Sequence, residues 1–160
     1  MEKEYLSIVD KIINNQKFLK LKNEKHHFTN RYNHSLSVSY LTYKITKKFD
    51  LDYKSATRAA LLHDFFFGNE FNNKITQMFK HYEKALTNAK KITKLNELEE
   101  SIISSHMYPV GGTIPKNMES FIVDIVDDYI SLKEQLYLNS KRLSQALGTL
   151  IIILMNFMIR

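Results

Sequence analysis

The chain has 160 residues, of which 44% are hydrophobic and 25% charged, so its length and composition predict an ordered globular protein with a sizeable core. It contains no cysteine, which excludes disulfides and thiolate metal sites and leaves His, Asp and Glu to hold any metal. The net charge of +6 arises in the first 60 residues, which hold 12 Lys and Arg against 6 Asp and Glu. A basic first third suits a phosphorylated substrate or nucleic acid, but scattered lysines on solvated helix faces are the more common explanation.

Residues 3–19 carry apolar side chains at helical spacing with polar residues between them, which predicts a first amphipathic helix. The charged residues at its start do not resemble a secretory signal, so we expect no export and a cytoplasmic location. A polar connection over residues 20–31 contains His26 and His27. We expect these two histidines to be solvated, with contact to a bound substrate as the alternative.

The second helix is predicted from Asn33, a good N-cap residue, to about Lys48. Its apolar stripe includes His34, which is therefore expected to point inward. Asp52 can cap a third helix, in which several alanines share a face with His63. These small residues would let a neighbouring backbone approach closely.

The third helix ends in the pair His63-Asp64, after which Phe65 to Gly68 interrupt the helical pattern. We predict a loop from there to Lys80 and a fourth helix that opens at His81. An imidazole and a carboxylate side by side at the end of an Ala/Leu-rich helix are unusual for a plain core face.

A capping box of Asn96 and Glu99 predicts the start of a fifth helix, whose apolar stripe leads to His106. Residues 108–116 hold both prolines and two glycines, which predicts a connector. Asn117 can then cap a sixth helix.

Ser140 can cap a last helix, in which residues 147–159 carry no charge. Because a bilayer span needs roughly 18 to 20 apolar residues, we predict no transmembrane segment and expect residues 140–160 to form a buried apolar helix. Packing in a homo-oligomer or attachment at a membrane interface are the alternatives. No alternating strand pattern occurs, so the predicted fold is all-α: one compact bundle of about six or seven helices over residues 1–160.

Three histidines, His34, His63 and His106, fall on the apolar stripes of different predicted helices, and Asp64 adjoins one of them. Taken singly, each histidine is explained by a hydrogen bond to backbone inside the core. Together they are harder to explain, because burying so many titratable groups unpaired costs on the order of several kcal/mol each. A divalent ion removes this cost, and imidazole with carboxylate ligands suits Mn, Fe, Co, Ni or Zn.

The sixth predicted helix offers three aspartates that could complete a metal site. On a helical wheel Asp124 falls among polar residues, which favours solvation, whereas Asp127 lies at helical steps from Val123 and Ile130. Asp128 borders the apolar arc on its other edge. The wheel therefore leaves Asp127 and Asp128 both open.

The order and spacing of these residues resemble the HD-domain superfamily of metal-dependent phosphohydrolases. The resemblance rests on Arg31 to Leu36 (RYNHSL) and Ala59 to Asp64 (AALLHD), and it extends over about residues 31–129. In that family a His, a His-Asp pair and a distant Asp hold one metal. The resemblance places this set on four residues of the chain: His34, His63, Asp64 and Asp127.

Some branches of the family, including those that act on cyclic dinucleotides, insert two further histidines and hold two metals. His81 and His106 match these insertions in order, and Ala85 follows His81 at the family's four-residue step. The resemblance therefore implies one or two ions, with Asp64 bridging. Phe65 to Phe67 depart from it, because many HD phosphodiesterases have Ile-Gly-Lys there, and the missing lysine leaves the substrate open.

The activity that the resemblance implies is hydrolysis of a nucleotide or another small phosphorylated metabolite by metal-activated water, with His63 and Asp64 in the catalytic centre. Arg31 and Lys84 are candidate phosphate contacts, while an ordinary solvated role is the alternative for Arg31. The alternative function is a helical module that binds metal or a nucleotide without turnover. No helix-turn-helix pattern occurs, so no stable nucleic-acid partner is expected.

Overall fold

The computed structural model describes the backbone of residues 2–26 and 29–158, and the side chains of those residues as far as residue 145. Within these ranges the chain forms seven α-helices and one small antiparallel hairpin, which confirms the predicted all-α fold. The helices are α1 (Lys3–Ile13), α2 (Gln16–Leu19), α3 (Arg31–Lys48), α4 (Tyr53–Leu62), α5 (Lys74–Lys90), α6 (Glu97–Ser105) and α7 (Met118–Met158). The hairpin pairs β1 (Lys25–His26) with β2 (Thr29–Asn30), strands too short to show an alternating pattern in the sequence.

Helices α3 and α4 pack closely because small side chains line their interface. Ala56, Ala59 and Ala60 of α4 are completely buried. The hydroxyl of Ser39 in α3 donates a hydrogen bond to the backbone carbonyl of Thr57 in α4 at 2.8 Å. This close pairing places the first turn of α3 near the residues that follow α4.

Helix α1 packs beside this pair through one apolar face. Tyr5, Val9 and Ile12 lie at helical spacing on that face and are buried, while Phe18 of α2 and Leu21 extend the same core. Burial of an apolar side chain of this size contributes about 1.5–3 kcal/mol to folding, so this face holds the N-terminal segment on the bundle.

The remaining long helices enclose the end of α4. Helix α6 packs on α4 and α5, and α7 packs on α3, α4 and α6. Buried apolar residues at these contacts include Ala85, Ala89, Ile102, Ile103 and Val123. The packing brings the ends of α4 and α6 next to the middle of α7.

The first two predicted helices have wrong boundaries, and in each case a neighbouring cap is responsible. The first helix ends at Ile13 because Asn15 caps the separate short helix α2. The second begins at Arg31, two residues before the predicted start, because the side chain of Asn30 accepts the capping hydrogen bond from the backbone N–H of Asn33.

Two later predictions are also wrong. The stretch before Lys80, predicted as a loop, belongs to α5, which begins at Lys74 because the side chain of Asn73 caps it. The predicted sixth and last helices are one continuous helix, α7, and Ser140 lies inside it. The Ser140 hydroxyl donates to the carbonyl of Tyr137 at 2.8 Å, so this polar side chain is satisfied without a helix start.

Along the part of the chain that the structure describes, no helix combines the length and apolar character needed to cross a membrane. Residues 147–158 continue α7. How the apolar tail packs, whether in the core, against a second subunit or at a membrane interface, concerns side chains outside the described set. A cytoplasmic location stays a prediction.

Candidate metal centre

Six histidine and aspartate side chains from five parts of the bundle converge at one place. They are His34 in the first turn of α3, His63 and Asp64 directly after α4, His81 in α5, His106 directly after α6, and Asp127 in α7. His34, His63 and His106 are no more than 2% exposed, and Asp64 is 5% exposed. The structure thus brings together all six of the predicted metal ligands.

The rings of the four histidines are each oriented by a hydrogen-bond acceptor at Nδ1. For three of them this acceptor is a backbone carbonyl: Ala60 for His63 (2.6 Å), Gln77 for His81 (3.0 Å) and Ile103 for His106 (2.8 Å). A proton on Nδ1 that donates to a carbonyl leaves the lone pair of the neutral ring on Nε2, which faces the cluster. At His34 the acceptor is the carboxylate of Glu134, whose two oxygens lie 3.3 Å from Nδ1. Metal-bound histidines are commonly supported in these two ways.

The first group of ligand atoms is organised around Asp127. Its Oδ1 atom lies 2.8 Å from Nε2 of His34 and 3.5 Å from Nε2 of His63. The three ligand atoms lie within 4.8 Å of one another, so a single ion could contact all of them. Of the other two aspartates on α7, Asp128 is exposed and Asp124 is partly buried, and neither belongs to the groups of ligand atoms found among the described residues.

The second group is organised around Asp64. Its Oδ1 atom lies 3.3 Å from Nε2 of His81 and 3.8 Å from Nε2 of His106. Asp64 and His106 also form a group of ligand atoms with His63. Because His63 belongs to both groups, the two groups are contiguous.

The close contact between the rings of His81 and His106 indicates whether a metal suits this site. Their Nε2 atoms are 3.1 Å apart, and both Nδ1 atoms lie at backbone carbonyls. In that tautomer two lone pairs face each other, which is repulsive unless a cation lies between them. Two nitrogens at about 2.0–2.1 Å from one divalent ion fit the observed separation. The donor set therefore fits a divalent metal.

The charges in the cluster shift the pKa values of both aspartates in the same direction. Burial raises the pKa of Asp64, but the charges of His63 and His81 outweigh it and hold the pKa well below its usual range. Burial also raises the pKa of Asp127, and the charge of His63 with the hydrogen bond from His34 lowers it by more. Both carboxylates are therefore ionised at neutral pH.

The histidines respond to these carboxylates in different ways. Burial lowers the pKa of His34, but its hydrogen bonds to Asp127 and Glu134 raise the pKa to about 10. Burial together with the charges of His63 and His81 lowers the pKa of His106 to about 3. The site thus attracts positive charge at His34 and keeps His106 neutral, as a metal ligand must be.

A cleft of about 430 Å³ opens onto the cluster. Three residues of the cluster, Asp64, His81 and Asp127, line part of its wall. The other lining residues are His26, Arg31, Phe66, Lys74, Gln77, Met78, Met107, Asp128 and Ser131. Its size falls within the range of small-molecule sites, which is roughly 300–1,000 Å³.

Arg31 lies in the wall of this cleft and contacts protein groups. Its Nη1 atom donates to the carbonyl of Phe66 at 2.9 Å and lies 3.3 Å from the carboxylate of Glu24. Its Nε atom is 3.7 Å from Oδ2 of Asp64, and the guanidinium stacks over the Phe66 ring at 3.7 Å. Phe66, from the triple phenylalanine that departs from the resemblance, thus supports the arginine beside Asp64.

The lysine that lines the cleft is not the one that the sequence suggested. Lys84 lies exposed on α5 and is absent from the cleft wall. Lys74, at the start of the same helix, lines the cleft. Helix α5 begins seven residues, about two turns, before the predicted position at His81, so the sequence prediction treated Lys74 as part of a loop.

Sequence reasoning also missed two residues that border the ligand atoms. His26 was expected to be solvated, but its Nδ1 atom lies 3.8 Å from Oδ2 of Asp64 and its ring centre is 4.1 Å from that of His34. With these two residues it forms a third group of ligand atoms within 4.8 Å of one another. Glu134 was not considered, although its position seven residues after Asp127 places both on one face of a helix. His27, the other histidine of the polar connection, lies outside the described residues.

Comparison with known proteins agrees with this geometry. Searches among curated proteins and among solved structures gave no match. A family model for the HD domain matches residues 31–132, more than half of the chain. The match begins at Arg31, directly before the first histidine of the cluster, and extends past Asp127. The chain therefore belongs to the HD-domain family.

Proposed function

We propose that this protein is a metal-dependent phosphohydrolase or phosphodiesterase whose centre holds two divalent ions and acts on a nucleotide or another small phosphorylated metabolite. The observation that carries the proposal is the set of three overlapping ligand groups, whose residues Asp64 and Asp127 line an open cleft. HD domains are in general metal-dependent phosphohydrolases, and membership of the family supports the same reading.

The described residues divide naturally between two ions. His34, His63 and Asp127 would hold one, and His81 with His106 would hold the other. Asp64 would contribute to both, because its Oδ1 atom faces His81 and His106 while it directly follows His63 in the chain. Bound divalent ions supply a water of lowered pKa and neutralise charge at the phosphoryl group.

The chain's own residues would position the substrate above this centre. The phosphate would enter the cleft between Lys74 and the buried carboxylates, where Lys74 offers a cationic contact. Arg31 lies 3.7 Å from Asp64 and lines the same cleft, so it stays a proposed phosphate contact. Lys84 also stays a prediction, and its exposed position suits contact with a longer substrate.

The test is metal content and hydrolysis measured on the same preparation. We expect the purified full chain, loaded with Mn²⁺, Fe²⁺, Co²⁺, Ni²⁺ or Zn²⁺, to bind two ions by elemental analysis. It should hydrolyse members of a panel of phosphate monoesters, diesters, nucleotides and cyclic dinucleotides. Asp64→Asn and Asp127→Asn should each lower the rate at least about a hundredfold. His106→Gln should leave one ion.

Asp124→Asn is the matched control, because Asp124 lies one turn before Asp127 on the same helix and outside the ligand groups. It should keep full metal content and activity. Circular dichroism establishes that each variant stays helical. Full metal occupancy in both Asp64→Asn and Asp127→Asn would contradict the metal centre. Two bound ions with no turnover on any substrate would instead favour the non-catalytic binding module.

A further inference from the structure

Helix α7 carries a row of large apolar side chains on its outer face. Each is between 46% and 64% exposed, which is unusual for side chains of this size on one helix. The row consists of Met118, Phe121, Ile125, Tyr129, Leu132, Leu136 and Leu143, and we call it the α7 stripe. A continuous apolar patch of this kind marks an interaction site more often than an accidental surface.

The α7 stripe lies opposite the face that packs on the bundle. Among the described side chains of α7, the buried apolar ones are Val123, Val126 and Ile130, and Asp127 and Glu134 lie on the same side. At about 100° per residue, the middle of the stripe is roughly 160–200° around the helix from these residues. No rotation of α7 could therefore bury both faces in one copy of the chain.

Six of the seven residues of the α7 stripe follow the spacing of a coiled-coil seam, and Phe121 lies one position beside it. Ile125, Leu132 and Asn139 follow one another at seven-residue steps, and Tyr129, Leu136 and Leu143 follow at the same step four residues later. In heptad terms the first series occupies the d positions and the second the a positions. A row with this repeat packs best against another helix that carries the same repeat.

We infer that the α7 stripe binds the α7 stripe of a second copy of this chain in a parallel two-helix seam. With each half-exposed side chain offering on the order of 100 Å², the stripe presents about 600–800 Å² per copy, close to the ~800 Å² per partner of a standard interface. The bundle cores then lie on the two outer sides of the paired helices.

The charges beside the seam favour a second copy in this orientation. Asp128 and Lys133 flank the seam at g and e positions, and both are exposed. In a parallel pair, a g residue meets the e residue five positions further along in the other copy. Asp128 of each copy therefore meets Lys133 of the other, which gives two opposite-charge pairs. The neighbouring pair in the same register, Gln135 with Ser140, is uncharged.

Asn139 supplies a further reason for a single register. It is exposed at a d position, between Leu132 and Leu143. A polar residue in a coiled-coil seam disfavours other registers, because any shift would bury it against apolar side chains. In a parallel pair that is in register, Asn139 of one copy lies opposite Asn139 of the other.

The first test measures mass and needs no activity. At about 50 µM, well above a low-micromolar Kd, sedimentation velocity on the intact chain should give twice the 18.9 kDa of one copy. Leu132→Glu with Leu136→Glu should weaken the dimer at least about a hundredfold. Phe49→Glu is the matched control, because Phe49 is 64% exposed at the end of α3, and it should leave the dimer intact.

The second test uses charge reversal to establish orientation. Asp128→Lys and Lys133→Asp should each weaken the dimer roughly tenfold, because each places like charges across the seam. The double variant should recover the affinity of the unmodified chain. All of these substitutions lie at exposed positions, so the fold should survive them.

Four outcomes would overturn the inference. A monomer at about 50 µM would exclude the dimer. A dimer that survives both Glu substitutions would move the interface elsewhere. A double variant no better than either single variant would exclude the parallel register. Monomeric protein that floats with vesicles of phosphatidylcholine and phosphatidylglycerol, and loses this in the double Glu variant, would assign the stripe to a membrane surface instead.

Discussion

Glu134 supports the metal centre from outside the ligand set. Its carboxylate lies 3.3 Å from Nδ1 of His34, on the side of the ring away from Asp127. A carboxylate in this position orients the ring and makes Nε2 a stronger donor to a metal. We predict that Glu134→Gln lowers metal affinity about 10–100-fold in a calorimetric titration and leaves the helical content unchanged.

The control for this prediction is Glu97→Gln, since Glu97 is exposed on α6 and makes no contact with the cluster. It should bind metal like the unmodified chain. Glu134→Gln could also act by loosening α7, which would lower thermal stability in the absence of metal. An unchanged affinity in Glu134→Gln would show that His34 needs no carboxylate support.

Individual residues were predictable where they share a face with an apolar stripe. His34, His63 and His106 lie on such stripes, and the spacing alone indicated that they point inward. His26 lies in a polar connection, where periodicity carries no signal, and the only signal for Glu134 is its seven-residue step from Asp127. They reach the site because the β1–β2 hairpin and the length of α7 place them there.

At the scale of elements, the connector after α6 is held by a glycine that no other residue can replace without strain. Gly112 has φ of +75°, and a Cβ atom there would lie 2.3 Å from the carbonyl oxygen of Ser104. The backbone N–H of Thr113 donates to that same oxygen at 2.9 Å. The contact fixes the path of the chain just after His106, which supplies a ligand of the second group.

We predict that Gly112→Ala destabilises the fold by about 1–3 kcal/mol and lowers the content of the second metal more than that of the first. Thermal unfolding and elemental analysis measure the two effects. Gly68→Ala is the matched control, because its added Cβ would make only an ordinary 3.4 Å contact with Glu24 and its φ is not left-handed. Equal losses of stability and of metal in Gly112→Ala and Gly68→Ala would contradict a special role for Gly112.

The types of the helices were predictable, and so were the starts of α4 and α6, where Asp52 and Asn96 cap as expected, but several other ends were not. Asn15 caps α2, which the sequence prediction joined to α1, and Asn73 caps α5, which the prediction began too late. Ser140 was predicted to cap a helix but lies inside α7. A short polar side chain can bond either to a following N–H or to the preceding turn. Packing decides between these two bonds, and it involves residues far away in the sequence.

At the scale of the whole molecule, Glu4 ties three helices together. This α1 residue accepts hydrogen bonds from Tyr43 and Lys47 of α3 and from Tyr53 of α4. The hydrogen bonds from Lys47, Tyr43 and Tyr53 lower its pKa to about 2. The cluster lies on the surface, so salt screens its ion pair.

The lowered pKa of Glu4 predicts how the stability of the bundle depends on pH. The unfolded chain takes up a proton at this carboxyl near pH 4.5 and the folded chain only near pH 2, so acid favours unfolding across that window. The contribution is therefore complete above about pH 4.5 and is lost as the pH falls towards 2. Glu4→Gln should unfold at a lower temperature than the unmodified chain at pH 7, with the difference closing near pH 2 and shrinking in high salt. The control is Glu83→Gln, an exposed substitution on α5, whose unfolding temperature should not approach that of the unmodified chain as the pH falls. If Glu4→Gln still unfolds at a lower temperature than the unmodified chain at pH 2, Glu4 acts through packing instead of charge.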